Sequence, residues 1–221
     1  MLINVLLVIH IAVLGYWLGA EFVINSEFRY VCRAASMPFA ERKRLMEHVM
    51  DVDQHVRYAL VLQAGLGTVL SALLGYFPGG ATLAWTAGVV ALSWLAFVEL
   101  IHRLRHATAG KQLAFLDRLM RYVLMAVLVV AGLAAAFGAI SLQGWLAWKL
   151  VLFGAVIACG VGIRYYIIQF FGIWRQIEAE GSNSARESAI RKNYASGTAL
   201  LGLLWLCIAA IAILSVLKPY A

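Results

Sequence analysis

Residues Leu2–Ile24 read LINVLLVIHIAVLGYWLGAEFVI, and this stretch decides the fold. An apolar run of roughly 20 residues is the length a helix needs to cross a hydrocarbon core. Two ionisable side chains lie within it, His10 and Glu21. Placing such groups at membrane depth costs a few kcal/mol each, so they are functional candidates. On a helix, His10, Leu14, Trp17 and Glu21 share one face, at spacings of four, seven and eleven. Gly15 and Gly19 fall on the other side and offer a smooth surface to a neighbouring helix.

Working outward, five more apolar segments follow, at about 58–77, 81–101, 122–140, 146–168 and 194–217. Of the 221 residues, 63% are hydrophobic and 13% charged, against about 25% charged in a soluble domain. The chain is expected to be all-α: a polytopic membrane bundle of six transmembrane helices arranged as three hairpins in a single transmembrane domain, residues 1–221. Met1 is followed at once by apolar residues, with no basic leader and no small-residue cleavage site, so the first segment is expected to be retained. Cys32, Cys159 and Cys207 form no CxxC pair and read as small apolar filler.

The connections alternate. Pro78–Gly80 and Ser141–Gly144 are turns, and the other three are read as long polar loops. Sixteen of the eighteen Lys and Arg residues lie on those loops and their edges, and only Lys149 and Lys218 lie at the opposite ends. The positive-inside rule then puts the long basic loops in the cytoplasm of a bacterial inner membrane and both termini in the periplasm. The net charge of +7 is thereby accounted for by topology and anionic headgroups, and no nucleic-acid partner is implied. A faint repeat marks three inward ends: Asp53-Arg57-Tyr58, Asp117-Arg121-Tyr122 and Glu187-Arg191-Tyr194. Acids at helix starts and interfacial anchors explain it most simply. Phe39–His55 reads as an amphipathic extension of the second helix, with Pro38 near its start.

Three groups carry candidate chemistry. His10 offers a neutral imidazole suited to haem iron, though a hydrogen bond to a neighbouring helix would also account for it. Lys149 follows Trp145 and Trp148. It either snorkels to headgroups or pairs with a carboxylate such as a porphyrin propionate. His48, Asp51 and His55 form one acid–histidine face, and Glu99, His102 and His106 form another with the same spacing. Together they supply enough N and O donors for non-haem iron, zinc or copper, although a charge-mixed solvated surface is the plainer account. No nucleotide-binding loop or nucleophile elbow occurs.

The run His10-IAVLGY-Trp17-Leu18-Gly19 resembles the first helix of the HemJ-type membrane protoporphyrinogen oxidases and of the CopD-type copper-resistance proteins, with Leu18 in place of a small residue. Gly144-Trp145-Leu146-Ala147-Trp148-Lys149-Leu150 is similar to the HemJ-type GWLxxKL motif. Arg191-Lys192-Asn193 and the closing Lys218-Pro219-Tyr220 are similar to the family's last helix, and Phe39–Leu62 is a looser match around Met46-Glu47. The resemblance covers the first two and last two spans; the family has four, so a hairpin at about 78–140 would be inserted. It implies a haem-b-binding inner-membrane oxidoreductase of a hydrophobic small molecule such as a porphyrinogen or quinol, the quinone included as partner. His10 would be the axial ligand, Lys149 a functional lysine, and Glu21 or Glu99 proton relays. Copper handling is what the CopD-type relatives imply instead. A transporter using the acid–histidine faces, or a non-catalytic subunit or assembly factor of a membrane complex or homo-oligomer, are the other readings.

Overall fold

The computed structural model describes residues 1–105 and 107–219. Over these the chain forms six helices: α1 (Leu2–Arg33), α2 (Phe39–Leu73), α3 (Gly80–Arg103), α4 (Thr108–Ala136), α5 (Gly144–Glu180) and α6 (Ser184–Leu217). All six are long and apolar enough to cross a membrane. Their apolar side chains are widely exposed, Val8, Ile11, Leu92, Val130 and Leu206 among them. Such faces suit lipid, which asks only that each helix satisfy its own backbone bonds.

The polar connections are shorter than the sequence suggests, because the helices run on through them. Residues 34–38 and 181–183 are all that separates α1 from α2 and α5 from α6. The stretch ERKRLMEHVMDVDQHV (41–56) holds no glycine or proline and several strong helix formers, so nothing stops α2 before the apolar part begins. The 37-residue α5 is about 55 Å long at 1.5 Å per residue. A hydrocarbon core is about 30 Å thick. The excess carries the basic residues expected on loops.

Breakers set the ends. Pro38 precedes α2, and its carbonyl accepts from the amides of Glu41 (3.0 Å) and Arg42 (3.1 Å). Gly79 takes φ 111° at the start of α3, a conformation that costs a side chain dearly. Asn183 caps α6 by accepting from the Arg186 amide at 2.9 Å.

The chain divides into two compact units. Unit 1 comprises residues 1–27 and 44–118, and unit 2 comprises 28–43 and 119–221. In unit 1 the packing of α2 on α3 is close at Gly65, where a Cβ would lie 2.4 Å from that of Ala91. Gln54 donates to the Val98 carbonyl across the same pair at 3.3 Å. In unit 2 α5 packs along α6, and Gly132 and Gly154 let α4 and α5 touch backbone to side chain. Gly154 and Gly162 lie against neighbouring side chains, whereas Gly15 and Gly19, expected to offer a smooth surface to a neighbouring helix, have nothing within 4 Å, and neither does Gly160. An aromatic cluster closes unit 2: Phe170 stacks on Trp174 (5.4 Å) and meets Phe28 edge-on (4.7 Å).

Candidate functional site

His10 lies on α1 against α2, half-buried. The Gln63 amide Nε2 is 3.4 Å from its Nε2, and its Cε1 would touch a Cβ at Gly67 at 3.5 Å. Gln63 and Gly67 are one helical turn apart on α2, so the imidazole rests across a polar residue and a gap left by a glycine. Gln63 Oε1 is buried and accepts no hydrogen bond among the described residues. Turning the amide over exchanges oxygen for nitrogen but leaves one end unmet. An unmet buried acceptor costs about 1–3 kcal/mol.

Down the same face, Leu14 is half-buried and Trp17 is buried. Trp17 donates from Nε1 to Glu21 Oε1 at 3.2 Å, on the i to i+4 spacing. Glu21 is itself only 8% exposed, although it is a carboxylate in an apolar segment.

Several members of the two acid–histidine faces meet partners outside those faces. His48 faces Glu27 (3.7 Å), and Arg105 donates to Asp51 (2.8 Å). That bond and the Arg105 charge hold the Asp51 carboxyl below its ordinary range. Tyr16 and His55 share a hydrogen bond of 2.5 Å, and His55 meets the Tyr58 ring edge-on. Glu99 accepts from Tyr58 and, at 2.6 Å, from Arg103. His102 lines a basic cavity with Arg105. His106 lies outside the described residues. Among those described, no three His, Cys, Asp or Glu side chains are placed to hold a metal ion.

Lys149 belongs to unit 2. Its Nζ sits over the Trp145 ring at 5.9 Å, and Lys218 Nζ approaches the same ring at 5.8 Å. Trp145 is buried and donates to Gln143 Oε1 at 2.6 Å. The lysine of the GWLxxKL-like run thus shares an indole with the lysine of the closing Lys-Pro pair, Tyr220 lying outside the described residues.

Sequence reading missed Gln63, although a glutamine inside an apolar span was signal enough. It also missed Arg42, which looks like any other residue of a basic, solvated end, and it read Asp117 only as a helix-start acid of the repeat. Both are buried: Arg42 pairs with Glu187, and Asp117 accepts from Trp94 Nε1 at 3.0 Å. No family model matches the chain, and neither a curated protein nor a solved structure matches it.

Proposed function

We propose that the protein is a multi-pass membrane oxidoreductase acting on a hydrophobic substrate such as a porphyrinogen or quinol, with haem b held at His10. One observation carries this reading. Beside the imidazole stands the Gln63 amide, whose buried Oε1 accepts no hydrogen bond among the described residues, and one turn further along the same helix Gly67 leaves the ring free of a side chain. Buried polar groups without partners are uncommon, and a further bound group is one way such an atom is satisfied. The donor set suits a haem: an imidazole beside a neutral amide, in an apolar segment. His10 would hold the iron in exchange for the Gln63 contact, and haem b would supply one-electron chemistry inside the bilayer.

The chain's own groups do the rest. Trp17 fixes the Glu21 carboxyl, which can take up or release a proton about 16 Å further along α1. Lys149, in the other unit, is given no part in this site. The same reading sets the basic helix ends in the cytoplasm of a bacterial inner membrane, supported by the one-sided charge.

The visible spectrum of the detergent-purified protein tests the proposal. A Soret band that disappears in His10→Ala supports it. A colourless protein without iron refutes it.

A further inference from the structure

We infer that unit 1 carries a phosphate-binding site at the basic end of α2, α3 and α4. A cavity of about 460 Å³ opens there, lined by Arg57, His102, Arg105, Lys111 and Arg118 together with apolar and small residues. Every ionisable side chain of the lining is basic, and no carboxylate is among them. Two of the four full cations are partly neutralised from outside the cavity. Arg57 donates to Asp53 Oδ2 (3.0 and 3.1 Å), and Arg105 donates to Asp51 Oδ1 (2.8 Å).

Lys111 and Arg118 pair with no carboxylate among the described residues. They stand seven residues apart, on one face of α4. Four cations against two carboxylates leave a surplus of two positive charges around an open cavity. Positive charge at a membrane's inner face needs only to be near headgroups. Five basic side chains converging from three helices on one concavity is a narrower arrangement, and it matches an anionic phosphate group, whose oxygens accept from several guanidinium and ammonium donors at once.

The cavity is built rather than incidental. A Cβ on Gly110 would lie 1.9 Å from the Leu104 carbonyl oxygen, so α4 starts in direct contact with the chain leaving α3. That contact brings Lys111 beside His102 and Arg105. Gly110 is buried and lines the cavity itself.

The phosphate could come from a lipid headgroup or from solution, and the chemistry is shared. The site is independent of the reading at His10. The test uses the full chain in nanodiscs of phosphatidylcholine with or without phosphatidylglycerol, and in detergent with inorganic pyrophosphate. Melting temperature and binding isotherms are compared for the native chain, Lys111→Gln/Arg118→Gln and Arg44→Gln, whose cation is exposed and outside the cavity. The native chain is expected to bind one of the two probes, the lipid or pyrophosphate, and the double variant to bind it about tenfold or more weakly. Arg44→Gln is expected to match the native chain. A response to phosphatidylglycerol alone identifies the headgroup, and a response to pyrophosphate alone identifies a soluble phosphate. Equal losses in both variants, no loss in the double variant, or no response to either probe overturns the inference. Gly110→Ala, which leaves every charge in place but forces α4 off Leu104, is expected to weaken binding as well; undiminished binding there overturns the claim that the cavity is the site.

Discussion

Arg42 and Glu187 form a buried two-pronged ion pair between residues 145 apart in sequence: NH1 reaches Oε1 at 2.8 Å and NH2 reaches Oε2 at 3.1 Å. Their side chains are 1% and 5% exposed. The guanidinium also donates to the Val31 carbonyl (3.0 and 3.3 Å) and lies 5.2 Å from the Trp174 ring centre, so its charge is met on several sides. Removing one member of such a pair strands the other, at a cost of about 3–5 kcal/mol. Arg42→Met or Glu187→Leu alone is therefore expected to lower the melting temperature by on the order of 10 °C. The double variant is expected to recover most of the loss. Additive losses in thermal unfolding would contradict this.

The same pair sets an acid limit. Burial alone would raise the Glu187 carboxyl, but hydrogen bonds from Arg42 and Ser182 and the charges of Arg42 and Arg191 outweigh it, holding the group below its ordinary 4.5. Glu187 stands in the polar first turn of α6, outside the apolar stretch. A depressed carboxyl stabilises the fold fully above the unfolded value, and that contribution fades as pH falls through the folded one. Melting temperature measured against pH should therefore drop below about pH 4.5 more steeply for the native chain than for Glu187→Gln. Parallel curves would show that the pair contributes nothing.

Glycines separate into those a neighbour touches and those facing open space. At Gly132 a Cβ would come within 2.7 Å of Val151 Cγ2 and 2.8 Å of the Ala147 carbonyl. Gly132→Ala is expected to destabilise by about 1–3 kcal/mol, since backbone must move. Gly160 has nothing within 4 Å, and alanine there is expected to be neutral or to add up to about 1 kcal/mol through the helix backbone. Denaturant titration of both variants checks the ordering.

Cys32 is fully buried beside the Arg42–Glu187 pair, and burial, opposed by the Arg42 charge, pushes its thiol up to about 12. A thiol so placed carries almost no thiolate at pH 8. Maleimide is expected to leave it unlabelled in the native chain and to label it after denaturation in SDS. Fast native labelling, read by mass spectrometry, would show that the surrounding helix ends open.

Gln63→Leu removes both the unmet amide end and the amide that contacts the His10 ring. With haem at His10, the Soret band is expected to shift or weaken while the melting temperature moves by only a few degrees. An unchanged band would place the haem elsewhere.

Much of the fold is legible in hydropathy alone, because a bilayer demands long apolar runs and each of the six is visible as one. Helix ends are less so. Leu113 and Trp174 look like parts of loops beyond the apolar runs, yet they stay helical: no proline interrupts α4 or α5, and α5 continues through Gly172 to Glu180. The acid repeat shows the limit most plainly. Asp53, Asp117 and Glu187 occupy equivalent places in sequence, but one binds its own helix's Arg57, one a tryptophan on α3 and one an arginine on α2. Spacing along a helix reports which side chains share a face. It does not report which distant residue will meet that face, and for His10 that residue was Gln63.

The three-residue link at 181–183 bears on how the chain is made. Gly181 turns at φ 84° and Asn183 immediately caps the next helix, so α5 finds α6 without a search through distant sequence. Asn193 already reaches Gln169 across the pair at 3.2 Å. Loop closure over so few residues costs little entropy, and contacts of low sequence separation form fastest. The C-terminal third can therefore enter a bilayer as a paired element as soon as it leaves the ribosome, without waiting for any earlier segment.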